Sequence, residues 1–219
     1  MKLLIRSVLV LLAAMTLASL CFGADASSLK PPPGARVAVV MFEDLECPDC
    51  ARAYPVVWDV AKAHNVPVVL HDFPLPIHNW SFDAAIYGRY FDTQSQQLGN
   101  DFRGFMYENQ RNVNRDNLRQ FVQKFAEDHK VPLPFSIDPD GKLKAKVQAD
   151  YQMGQRMNLE HTPTIFVIGQ GTTSATPFVE VLDRAKLSEL IEDMQKKAGP
   201  ATATPAKGAP TRAHKKKAS

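Results

Sequence analysis

The chain is 219 residues long, 45% hydrophobic and 22% charged, with a formal net charge of +3. Three cysteines are too few for a disulfide-stapled scaffold, and the length leaves room for one large domain with a proper core. The positive balance is local: residues 27–199 carry 19 basic and 22 acidic side chains, and the excess lies in Lys207, Arg212, Lys215, Lys216 and Lys217. Nothing in that distribution marks a sequence-specific nucleic-acid binder.

Residues 1–26 read as an export signal. Lys2 and Arg6 precede an apolar run over 8–20, broken only by Thr16 and Ser19, and Ala24-Asp25-Ala26 offers a small-x-small cleavage site. The run is shorter than the roughly 20 apolar residues of a membrane span, which leaves an uncleaved anchor as the alternative. Leu20 ahead of Cys21 does not suit a lipoprotein signal. Export to a periplasmic or other extracytoplasmic space is therefore expected, where disulfides persist. A short linker, 27–35, follows.

Residues 37–42 form a nearly continuous β-branched apolar run, the pattern of a strand buried on both faces. A helical pattern over 51–64 carries Ala51, Tyr54, Val57, Trp58 and Ala61 on one face, with Pro55 inside it. Cys47-Pro48-Asp49-Cys50 sits at the junction. A Cys-x-x-Cys at a strand-to-helix turn puts two sulfurs within disulfide reach. It also sets the first at a helix N-terminus, where free N–H groups and the dipole favour a thiolate. The pair reads as a redox dithiol. Half of a structural zinc site is the competing reading, but a closed site needs four ligands and the six histidines are scattered singly. Residues 66–73 read as a second buried strand, closed by Pro74 and Pro76, so strand, helix and strand make a right-handed crossover with a parallel pair.

From 79 to 159 helical periodicity takes over. Leu98, Phe102, Phe105 and Met106 share one face, and Leu118, Phe121, Val122 and Phe125 another. These stripes read as core, not as a cofactor box. Asn114 suits the N-cap of the second, with Val113 and Leu118 as a hydrophobic staple. Asp138-Pro139-Asp140-Gly141 is a turn, and 142–159 a further helix. Strand texture returns at 164–168, a turn follows at 169–171, a fourth strand is expected at 177–181, and an amphipathic helix at 185–197. The Ala/Pro/Thr/Lys-rich tail, 198–219, lacks the apolar residues to order itself, and its lysines could touch an anionic surface.

This βαβ, helical block, ββα order resembles the thioredoxin fold with an inserted helical subdomain, an α/β architecture with a central mixed sheet. More narrowly it resembles the DsbA-like thiol-disulfide oxidoreductases. The first half would be 36–78, the insertion 79–159 and the second half 160–197. Three stretches carry the likeness: 42–50 (FEDLECPDC), 72–78 (DFPLPIH) and 161–167 (HTPTIFV). The resemblance implies that Cys47 is the exposed nucleophile and Cys50 the buried resolving thiol. It implies that Pro163 is a cis-proline facing the pair and that the Thr162 backbone pairs with substrate like an added strand. It implies no cofactor beyond a Cys47–Cys50 disulfide, no bound metal, substrate proteins bearing thiols or disulfides, and an envelope partner that recycles the dithiol.

Two departures bear on mechanism. The family buries a carboxylate six residues before the first cysteine, and here that position is Met41. Glu43, two residues on, shares its face of the strand. His161, beside Pro163, is placed to stabilise a Cys47 thiolate or simply to stand in a loop. Glu46 and Asp49 should raise the Cys47 pKa, more weakly than the helix terminus lowers it. The balance favours a disulfide oxidase. A reductase or isomerase with the same dithiol is the alternative, as is a non-catalytic binding, chaperone or metal-carrier module.

Overall fold

The computed structural model describes residues 29–170 and 178–198. The expected signal peptide with Cys21, the first residues of the linker, Gly171, Pro177 and the tail beyond Ala198 lie outside them. Among the described residues no helix is long and apolar enough to cross a membrane.

Strand β1 (Val37–Glu43) is buried along its whole length, as its unbroken apolar run requires. It pairs in parallel with β2 (Val68–Asp72), Val39 opposite Val68 and Glu43 opposite Asp72. On its other edge it meets β3 (Thr164–Gly169) antiparallel, and β3 pairs antiparallel with β4 (Phe178–Glu180). The sheet order is β2-β1-β3-β4, a mixed sheet with β1 and β3 central. β2 begins at Val68, two residues later than the apolar run suggests. Pro67 has no N–H to give, and the Val66 N–H is spent closing the preceding helix on Ala61.

Alternation along β1 divides the core. Val37, Val39 and Met41 face helix α1 (Pro48–Ala63), α6 (Leu187–Lys197) and the helical insertion; Ala38, Val40 and Phe42 pack on Phe73, Phe166 and Met157. The insertion comprises α2 (Ser81–Gln94), α3 (Gln96–Asn109), α4 (Leu118–Asp128) and α5 (Lys142–Arg156). Its aromatic stripes are core: Phe91, Phe102 and Phe125 pack ring on ring with centroids 4.7–5.3 Å apart. Helix α1 starts at Pro48, three residues before the apolar pattern does, because proline at the first helical position gives up an N–H that would be unpaired anyway. It runs unbroken through Pro55.

Two helix ends differ from expectation for local reasons. Asn114 Oδ1 accepts the N–H groups of Asp116 and Asn117 as an N-cap does. Residues 115–117 form only a turn, however, and regular helix begins at Leu118. Helix α5 stops at Arg156, because Asn158 turns left-handed (φ 56°) and ends the ladder. Gly154 is required there, since a Cβ would lie 2.5 Å from the Phe73 ring.

Candidate active site

Cys47 is the N-cap residue of α1, with extended backbone (φ −78°, ψ 120°), so its sulfur stands at the helix N-terminus. Against the exposed position expected of it, Cys47 is largely covered, 7% exposed, and Cys50, in the first turn, is fully buried. Both are free thiols. From across the sheet the Thr162 carbonyl accepts the Cys47 S–H at 3.2 Å, and the Thr162–Pro163 peptide bond is cis. That bond exists only while Cys47 is protonated and so opposes ionisation. The donors aimed at the sulfur outweigh it: the Cys50 thiol above all, then the N–H groups of Cys50 and Asp49. They hold the Cys47 pKa down at about 5, against the cost of burial. The Cys50 thiol moves the other way. Burial pushes it well above the ordinary range, and the hydrogen bond it gives to Cys47 and the negative charges of Cys47 and Glu43 add to that. Its sulfur accepts the Asp44 N–H at 3.4 Å. One thiol is prepared to ionise and its neighbour to stay protonated.

Glu43 ends β1 on the face it shares with Met41, 1% exposed. The Tyr107 hydroxyl of α3 donates to its Oε2 at 2.8 Å. Arg103 Nε lies 2.9 Å from Oε1, an ion pair whose N–H does not point at the oxygen. Burial raises the Glu43 pKa to about 7, with Arg103 pulling it back. The proton-accepting group nearest in character to the missing carboxylate at Met41 is therefore two residues along the strand, on the side of the resolving thiol.

The two other acids of the motif are committed elsewhere. Glu46 Oε2 accepts the Trp80 and Ser81 N–H groups at 2.8 and 3.2 Å and so caps α2. Asp49 Oδ1 is gripped by Arg184 Nη2 at 2.9 Å and Arg52 Nη2 at 3.1 Å, and the Arg184 hydrogen bond holds its carboxyl below the usual range. Neither side chain is among the main influences on Cys47, so the upward push expected of them is outweighed; what Asp49 contributes among the larger influences is its backbone N–H, which acts the other way. His161 is exposed, its carbonyl held by the Thr164 hydroxyl at 2.8 Å, and its ring is not among those influences either.

Sequence reasoning missed the supports. The Asp44 carboxylate, fully buried, takes the Glu46 N–H at 2.8 Å, the Leu75 N–H at 2.6 Å and the His78 ring at 2.6 Å. This aims its own N–H at Cys50 and ties 72–78 to the site. Gln110 Nε2 donates to the Leu45 and Cys47 carbonyls at 2.8 and 3.0 Å. Only the Asp44-to-Glu46 turn has a local signature, an Asx turn two residues long.

A family profile described as thioredoxin matches residues 32–200. The chain belongs to the thioredoxin family. Solved structures of similar fold include alpha-DsbA1 of Wolbachia pipientis (TM-score 0.62, 15% identity, 77% of this chain and 90% of that one). The thiol-disulfide exchange protein alpha-DsbA2 of the same organism gives a TM-score of 0.60 at 14% identity, over 76% and 88% of the two chains. BcfH of Salmonella enterica Typhimurium gives 0.59 at 17% identity, over 89% of each chain. No curated protein matches the sequence significantly. At these identities the likeness speaks for the fold, a thioredoxin fold with a helical insertion as found in DsbA proteins, and the chemistry rests on the site itself.

Proposed function

We propose that the protein is an exported, DsbA-like thiol-disulfide oxidoreductase that donates its Cys47–Cys50 disulfide to substrate proteins. The observation that carries this reading is the split within one motif: Cys47 at about 5, Cys50 well above the ordinary thiol range. A stable Cys47 thiolate is a good leaving group, and stabilising the reduced pair makes the disulfide more oxidising. The fold shared with a thiol-disulfide exchange protein agrees with it.

A substrate thiolate attacks Cys47 Sγ of the oxidised pair, breaking the Cys47–Cys50 bond and forming a mixed disulfide. Cys50 leaves as a buried thiolate and takes a proton, which Glu43 can give because a pKa of about 7 keeps it part-protonated at neutral pH. A second substrate thiolate then attacks the substrate sulfur of the mixed disulfide, forming the substrate disulfide and releasing Cys47 as thiolate. Two substrate thiols become a disulfide, and two electrons reach the pair. One thiol proton is retained on Cys50 and the other goes to solvent. The Thr162 backbone beside Cys47 is where the substrate chain would lie. An envelope redox partner would re-oxidise the dithiol.

Glu43→Gln tests the proton step. The variant should keep the low Cys47 pKa but form and resolve mixed disulfides about tenfold more slowly or worse, with the rate inflection near pH 7 gone. Quenched-flow measurement of the mixed disulfide reads this out, and an unchanged rate and pH profile would remove Glu43 from the mechanism.

A further inference from the structure

Asp49 lies inside the Cys-x-x-Cys motif, a carboxylate two residues from the reactive sulfur, yet it does not act on that sulfur as a free negative charge. The reason comes from 135 residues away. Arg184 belongs to a short 3-10 turn (Arg184–Lys186) between β4 and α6, whose start Asp183 fixes by accepting the Ala185 N–H at 3.0 Å. From there Arg184 Nη2 donates to Asp49 Oδ1 at 2.9 Å and Nη1 to the Asp49 carbonyl at 3.4 Å. The grip is two-pronged. It neutralises the carboxylate and fixes the orientation of the residue whose N–H supports the Cys47 sulfur. Arg52, one turn along α1, holds the same oxygen at 3.1 Å but is largely exposed. The remaining acids of the neighbourhood are each engaged: Glu46 on the α2 N-terminus, Asp44 on the Glu46 and Leu75 N–H groups and the His78 ring, and Glu43 on Tyr107 and Arg103.

We propose that Arg184 is a positioning residue for the dithiol: by holding Asp49 it keeps that charge off Cys47 and its N–H on the sulfur, which makes the disulfide a stronger oxidant. The inference deepens the oxidoreductase reading and rests on it. Arg184 and Asp49 are each more than a third exposed, at 35% and 38%, so the effect passes through partly screened space and is modest. Loss of the arginine should weaken Cys47 as an acid about fivefold, equivalent to a potential about 20 mV more reducing.

The test is a cycle of Arg184→Gln, Asp49→Asn and the double variant in the full chain. The readouts are Cys47 thiolate absorbance against pH and the glutathione equilibrium constant. Arg184→Gln should raise the Cys47 pKa and lower the potential, more so at low salt. Arg184→Lys should recover part of both, since it keeps the charge and loses the fork. In the Asp49→Asn background Arg184→Gln should do distinctly less. An unchanged pKa and potential in folded Arg184→Gln would overturn the proposal, and so would an equal shift with and without the Asp49 carboxylate. The thiolate titration needs no turnover. Failure of the protein to exchange disulfides at all would therefore sink the oxidoreductase reading while leaving the Arg184 effect separately measurable.

Discussion

Iodoacetamide should alkylate the reduced protein at Cys47 alone, at a rate that climbs to half its plateau near pH 5, and Cys47→Ser should abolish both alkylation and thiol-disulfide turnover. The selectivity follows from the two burials and the two opposite shifts. Cys47 keeps a sliver of its surface at solvent and a thiolate supported by the Cys50 thiol and two backbone N–H groups, whereas Cys50 is sealed and protonated. Linkage gives the sign of the stability effect. The folded pKa of about 5 lies below the reference value of 9.0, so the reduced fold binds fewer protons than the unfolded chain between those values. Its stability therefore rises with pH across that window, fully present above the upper value and lost as pH falls through the lower. At pH 7 the shift amounts to about two powers of ten, which the disulfide form does not share, or up to roughly 60 mV toward the oxidising end. A half-plateau above the unperturbed pH of roughly 8.5 would contradict the thiolate assignment. Retained binding of substrate peptides by Cys47→Ser would not, since the Thr162 backbone stays in place.

Arg103→Met should be the most damaging single change outside the cysteines, costing about 3–5 kcal/mol and lowering the melting temperature by about 10 °C or more. Arg103 is fully buried in α3 yet charged. It spans Asp92 through both terminal nitrogens at 2.8 and 3.0 Å, Glu43 through Nε at 2.9 Å, and reaches Asp72 at 4.0 Å. Arg89 closes the other end on Asp72 and Asp150, and Asp150 in turn bonds His71 at 2.8 Å. Gly88 and Gly99 make the room: a Cβ on Gly99 would stand 1.8 Å from Asp92 Oδ1. Removing one arginine leaves Glu43 and Asp72 buried with one counter-charge fewer. The loss should be larger at pH 8 than at pH 5, since burial raises both acids and protonation relieves them in the acid range. Thermal unfolding at the two pH values decides it, and a variant as stable as the parent at pH 8 would show that the arginine does not hold these acids.

Much of the architecture was legible because it is local. The apolar run of β1, the apolar face of α1 and the aromatic spacing of α3 and α4 each depend on neighbours within a turn or two, and the order of elements then leaves few topologies. The dithiol was legible for the same reason. What stayed hidden is long-range polar pairing. Glu46 to the α2 N-terminus spans 34 residues, and Asp44 to His78 likewise. The two acids beside Cys47 counted as free in the sequence, Glu46 and Asp49, are both engaged in the fold. Arg103 follows the same logic in reverse: helical periodicity puts it beside core Phe102 and gives no reason to expect a buried cation until its acids arrive from α2 and two strands.

The reduction potential of the Cys47–Cys50 pair, measured by equilibration against glutathione, bears most directly on whether the protein gives disulfides away. A value nearer −120 mV than −270 mV is expected from the stabilised Cys47 thiolate and the neutralised Asp49. A value near −270 mV would make the pair a reductant and contradict the disulfide-donor reading.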